Sequence, residues 1–130
     1  MEFHIRNGIL YSVNPGDSQD VVLPDNVDAV WFDAFSDCSN VRSITINEGV
    51  KYIKGGAFLA CTSLEKVCLP KSVCKLHVFT DQYITDCQLS GCKGGYSEFR
   101  NAVEKFMVLC EKDSFAESYC RHFDIPFESK

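Results

Sequence analysis

Nothing in this 130-residue chain approaches the ~20 consecutive apolar residues that a membrane-spanning helix requires. The opening Met1-Glu2-Phe3-His4-Ile5-Arg6 lacks the apolar core of a signal peptide. If Met1 is the native start, these absences point to a cytoplasmic protein. If the chain is excised from a longer one, a cell-surface or secreted origin fits equally. Positive charge is also in short supply, with 13 Lys and Arg against 18 Asp and Glu and a formal net charge of −5. A general nucleic-acid binder would present a basic face to phosphate, so no nucleic acid is expected as a partner. Cysteines are many, eight in all, yet no two form a Cys-x-x-Cys pair, which argues against a zinc ribbon or a thioredoxin-type motif. Without a secretory signal they are expected to be mostly reduced, buried thiols packing as small hydrophobes. Like charges do not collect into a tail, and the 45% apolar and 24% charged fractions suit one packed domain rather than a disordered chain.

What the sequence does contain is repetition. Val21-Val22-Leu23-Pro24-Asp25-Asn26-Val27-Asp28-Ala29-Val30 aligns with Ile44-Thr45-Ile46-Asn47-Glu48-Gly49-Val50-Lys51-Tyr52-Ile53, 23 residues on. A further step of 23 gives Val67-Cys68-Leu69-Pro70-Lys71-Ser72-Val73-Cys74-Lys75-Leu76. In the second half of the unit, Ala34-Phe35, Cys38 and Val41 return as Ala57-Phe58, Cys61 and Leu64, so eight apolar columns stay in register over two units. Self-similarity at such a period is the signature of a solenoid, in which each coil buries a face its neighbour must cover. Val21/Ile44/Val67 and Leu23/Ile46/Leu69 lie two apart, the spacing of a strand with one face buried. Stacked one per coil, they predict a parallel sheet with strands ~4.8 Å apart. Pro24, Asn47 and Pro70 end the strand, and Gly49 suits the turn that follows. Val27/Val50/Val73 and Val30/Ile53/Leu76, three apart, mark a second and less regular buried edge. The Ala-Phe-x-x-Cys segment fits a short helical or 3₁₀ turn with Phe and Cys pointing inward.

These residues resemble the BspA-type (Treponema-type) leucine-rich repeats. The likeness is closest from Gly49-Val50-Lys51-Tyr52-Ile53 through Ala57-Phe58-Leu59-Ala60-Cys61-Thr62-Ser63-Leu64, and looser from Phe3 to Leu76. Ser114-Phe115-Ala116-Glu117-Ser118-Tyr119-Cys120, followed by Ile125-Pro126-Phe127, is similar to the small helix and final strand that often close such proteins. The resemblance implies a curved solenoid, a role in adhesion or protein binding, and no catalytic residues. The expected fold class is α/β: a short leucine-rich-repeat-like solenoid with a parallel β-sheet, an N-terminal β-hairpin cap and a C-terminal helical cap.

Within a single domain, 1–20 is expected to form the hairpin cap, 21–76 the repeats, and 77–130 a degenerate repeat and C-terminal cap. Asn7-Gly8 between Phe3–Ile5 and Ile9–Val13 is a strong hairpin signal. After Leu76 the pattern fails, because His77-Val78-Phe79-Thr80-Asp81 stands where Ala-Phe is due, and loops with one irregular strand are expected over 77–96. Ser97 resembles the N-cap of a helix through about Lys105, with Phe99, Val103 and Phe106 on one face. Met107–Cys110 reads as a strand. Ser114 and Glu117 then form a capping-box pattern for the closing helix, with Phe115 and Tyr119 packing inward.

Candidate chemistry is sparse. The nearest Cys–His pair in sequence, Cys120 and His122, falls on different sides of a short helix, and no segment resembles a nucleophile elbow. Cys68, Cys74, Cys87 and Cys92 are spaced six, thirteen and five apart and match no common zinc pattern. Gly91-Cys92-Lys93-Gly94-Gly95 lacks the Gly-Lys-Ser/Thr ending of a phosphate loop. No catalytic residue, metal or cofactor is therefore expected. A cysteine-dependent enzyme or metal-binding protein using 77–96 is the alternative, and a structural fragment of a larger surface protein is a third reading.

Surfaces remain. The outward rows Asp20/Ser43/Lys66 and Val22/Thr45/Cys68 are short and mixed. Trp31 stands where the next repeats carry Lys54 and His77. It is either an interface anchor, since Trp and Tyr dominate hot spots, or part of the cap, packed on the hairpin. Trp31, Tyr52, Thr45 and Lys66 are the candidate protein-binding residues. Three or four coils make a sheet only ~15–20 Å long, and a standard interface takes ~800 Å² per partner. A large part of one side would be needed, which also admits self-association. The expected function is non-enzymatic: protein–protein interaction or adhesion through a protein partner.

Overall fold

A computed structural model describes residues 1–58, 60–76, 102 and 105–130. The loops expected over 77–96 and the helix expected after Ser97 lie outside these residues. In chain order the elements are β1 (Glu2–Arg6), β2 (Ile9–Asn14), β3 (Asp20–Val22), β4 (Ala29–Val30), β5 (Ser43–Thr45) and β6 (Tyr52–Ile53). They continue with β7 (Lys66–Cys68), β8 (Lys75–Leu76), β9 (Met107–Cys110), α1 (Phe115–His122) and β10 (Phe127–Ser129).

The strands form two five-stranded sheets, β1-β2-β4-β6-β8 and β10-β9-β7-β5-β3. Every coil contributes one strand to each, and the 23-residue period is the hydrogen-bonding register itself. Val21 pairs with Ile44 and Ile44 with Val67 in the second sheet. Ala29 pairs with Tyr52 and Tyr52 with Lys75 in the first. The edge read as irregular from Val30/Ile53/Leu76 is thus a full parallel sheet. Its strands are two residues long, too short for a period of two to show in the sequence.

The hairpin forms as expected. Asn7 (φ 53°) and Gly8 (φ 80°) both take the left-handed conformation that a two-residue hairpin turn demands. A Cβ on Gly8 would also run into the Asp28 carboxylate, so glycine is required twice over. The hairpin is not a separate lid, however. β2 pairs in parallel with β4, Ile9 beside Ala29 and Leu10 beside Val30, so it is the first strand of the first sheet. β1 then covers it as the one antiparallel strand among the described residues.

One core lies between the sheets. All eight repeated columns are buried in both units, and Leu10, Val30, Ile53 and Leu76 of the first sheet share a cluster with Val21, Ile44, Val67 and Val108 of the second. Phe35 stacks on Phe58 at 5.0 Å between ring centroids and 16° between planes. The Ala-Phe-x-x-Cys segments make successive i to i+3 turns rather than a helix: Cys38 N–H donates to the Phe35 carbonyl and Cys61 N–H to that of Phe58, both at 3.0 Å.

At the C-terminal end β9 pairs with β7, Val67 beside Val108, and β10 pairs with β9. α1 begins where the capping signal places it. Glu117 N–H donates to Ser114 Oγ at 3.2 Å, and the Glu117 carboxylate reaches back to accept from Asp113 N–H at 3.4 Å. One expectation for this helix fails. Tyr119 is buried, but Phe115 is 39% exposed. The inward stripe is Ala116, Tyr119 and Cys120, continued by Phe123, and Phe115 at the first helical position stands beside it.

Candidate protein-binding face

Strand alternation turns Val30, Ile53 and Leu76 into the core and Ala29, Tyr52 and Lys75 out to solvent. The same register carries one residue further. Trp31 N–H donates to the Leu10 carbonyl and Lys54 N–H to that of Val30, both at 2.9 Å. Tyr11, Trp31 and Lys54 therefore form a second outward row beside Ala29, Tyr52 and Lys75.

Aromatic rings dominate this face. Tyr11 and Trp31 lie 5.9 Å apart, His4 reaches Tyr11 at 6.2 Å, and Phe32 sits 5.6 Å from Trp31. Lys54 Nζ stands over the Trp31 ring at 4.9 Å and Lys75 Nζ over Tyr52 at 5.7 Å. Phe32 and Tyr52 are 52% and 43% exposed, so the rings are a contiguous surface feature rather than a scatter of single apolar residues. A groove of about 310 Å³, lined by Glu2, Phe3, His4, Ser12 and Asn14, borders the row at its hairpin end. Lys54 and Lys75 set two ammonium groups on the rings of this face, on a chain of net charge −5.

The four expected site residues do not converge. Trp31 and Tyr52 share the outer face of the first sheet, one in each row. Thr45 and Lys66 belong to β5 and β7 of the second sheet, across the core. There Lys66 stacks with Ser43 and Met107, and Thr45 with Val22 and Cys68. The sequence places Thr45 and Lys66 on its one expected sheet and Trp31 and Tyr52 on another side of the coil; that other side is the first sheet, so the two pairs lie on opposite faces. Trp31 does rest on the hairpin through Tyr11, as the cap reading has it, but on the outer surface and only half-buried. Tyr11, Phe32, Lys54 and Lys75 complete the face and were not expected there. Tyr11 escapes a period of 23 because the first coil is shorter, with Ile9 opposite Ala29 only 20 residues on.

The Cys38 and Cys120 thiols are poorly suited to nucleophilic work. Burial, aided by Asp37, pushes the Cys38 thiol up to about 11. Burial again, with smaller effects from Cys110 and Glu117, pushes Cys120 up to about 12. A reactive cysteine needs the opposite shift. Among the described residues Cys38, Cys68, Cys74, Cys110 and Cys120 are in no disulfide, and Cys87 and Cys92 lie outside the described residues. Among the described residues no group of three or more His, Cys, Asp or Glu could hold a metal ion, and no helix is long and apolar enough to cross a membrane.

A parallel stack of 23-residue coils with leucine-type inward columns defines the class as a leucine-rich-repeat solenoid. Its family follows from comparison: a model described as the BspA type leucine rich repeat region (6 copies) matches residues 11–102, and the chain belongs to that family. The match starts within β2, the strand that opens the first sheet. Neither a curated protein nor a solved structure matches the chain.

Proposed function

We propose that the chain is a non-enzymatic interaction module that takes a protein partner on the outer face of its first sheet. The observation that carries this reading is the contiguous row of His4, Tyr11, Trp31 and Phe32, with Tyr52 in the row beside it. Solvent-exposed aromatic clusters are costly to leave uncovered, and Trp and Tyr supply most of the binding energy where interfaces form. The second sheet offers less: its outer rows mix polar Asp20, Ser43, Thr45 and Lys66 with exposed Val22 and Met107 in place of a ring cluster, and Ser43 Oγ is engaged by the Asp20 carboxylate at 2.5 Å.

A photo-crosslinking residue placed at Phe32 or Tyr52 should give protein adducts in cells, while one placed at Thr45 or Lys66 should not. Adducts confined to the second sheet would overturn the assignment. Trp31→Ala, folded by circular dichroism, should lose the adducts at Tyr52 and weaken a recovered partner by at least ~30-fold, the effect of a ~2 kcal/mol hot spot.

A further inference from the structure

Resting on that reading, we infer that the partner presents a short acidic, extended segment, its carboxylates meeting Lys54 and Lys75 and its apolar side chains lying against Trp31, Phe32 and Tyr52. The cation–π positions on this face are already filled from within the chain, by Lys54 over Trp31 and Lys75 over Tyr52. An incoming cation would meet like charge; an incoming carboxylate would meet ammonium groups whose long side chains the rings already hold in place, so less freedom is lost on binding.

The occupant is a peptide rather than a sugar or a long polyanion for two reasons. The rings are tilted against one another, 53° between Tyr11 and Trp31 and 37° between Trp31 and Phe32. That makes a corrugated surface that takes side chains between rings, not a flat platform for a sugar ring. The chain as a whole carries −5, so a polyanion running past this face would be repelled by the rest of the molecule, whereas a short acidic stretch would not.

Trp31 is the sole tryptophan in the chain, so its emission reports directly on the face. The probes are a tryptophan-free peptide of alternating glutamate and leucine, its glutamine and lysine counterparts, and heparin. The glutamate peptide should shift Trp31 emission saturably, and its binding should weaken steeply as salt is raised from roughly 50 to 500 mM, as screening requires. Lys54→Gln and Lys75→Gln should each weaken it about three- to five-fold, as exposed ion pairs do, and Lys112→Gln should leave it unchanged. Equal or tighter binding of the glutamine peptide, the lysine peptide or heparin would overturn the acidic segment, as would no response to the glutamate peptide at millimolar concentration. If crosslinks at Phe32 persist in those cases, the protein-binding face stands and only its ligand chemistry is wrong; if they are absent as well, both fall.

Discussion

Phe58 shows most directly what a single residue does in this stack. It is 1% exposed and stacked on Phe35, its counterpart one coil earlier. Truncating it removes packing from two coils at once. Phe58→Ala should cost ~3–5 kcal/mol, a large share of the ~5–15 kcal/mol that holds a typical domain folded, and urea melts followed by circular dichroism would show it. Trp31→Ala is the contrasting case. Half-buried, with Lys54 on one side and Tyr11 on the other, it should lower stability by no more than ~1.5 kcal/mol and leave unfolding cooperative. The buried thiols make a third prediction. With its pKa raised to about 11, Cys38 keeps its proton in the folded chain over a range where the unfolded chain, at its ordinary value near 9, would lose it. The folded state then binds more protons, so stability is fully present below pH 9 and falls as pH rises toward 11. Melting temperatures across that window should drop less steeply in Cys38→Ala than in the parent, after allowing for the lower starting stability.

At the scale of elements, α1 rests on its first turn. Ser114 Oγ takes the Glu117 N–H, so Ser114→Ala should cost ~1 kcal/mol, seen as faster amide exchange in α1. The Glu117 carboxyl is held below its ordinary value of 4.5, chiefly by the Ser129 hydroxyl and then by Asp113 N–H and Arg121. A lowered folded pKa contributes stability above the unfolded value that is lost as pH falls through the folded one. Amide protection in α1, taken relative to intrinsic exchange at each pH, should therefore fall below pH 4.5, and in Glu117→Gln this acid dependence should flatten. These elements were the legible ones: β3, β5 and β7 follow from alternation at Val21/Leu23 and its repeats, β9 from Met107–Cys110, and the start of α1 from its capping pattern. Beyond its hairpin, the first sheet was legible only as a column, because β4, β6 and β8, of two residues each, cannot display an alternation. Phe115 was placed inward because it lies four residues from Tyr119 and so on nearly the same face, yet the stripe that meets the core centres on Ala116, Tyr119 and Cys120. The candidate face was half legible. Trp31 and Tyr52 could be read as surface aromatics and Thr45 and Lys66 as outward residues of the alternating sheet, but that the core separates the two pairs depends on the first sheet, whose two-residue strands show no alternation.

In the whole molecule each coil touches only the coils beside it, so the stack is as sound as its ends. β1 shields the first sheet at one end; at the other, α1 packs against β8, β9 and β10, and β10 completes the second sheet. Deleting residues 111–130 strips Ala116, Tyr119, Cys120, Phe123 and Ile125 from the core and leaves the outer edge of β9 bare. That edge, Met107-Val108-Leu109-Cys110, is apolar, uncharged and free of proline, the composition that recruits strands from other chains. The loss does not stay local, since Val108 pairs with Val67, and Val67 with Ile44. The truncated chain should unfold at a markedly lower urea midpoint and over a broader transition than the full chain, and it should self-associate as concentration rises, measured by sedimentation velocity. An unchanged midpoint with a monomeric product would mean that the remaining parallel coils are self-sufficient and that α1 and β10 are appended to the solenoid rather than part of what holds it folded.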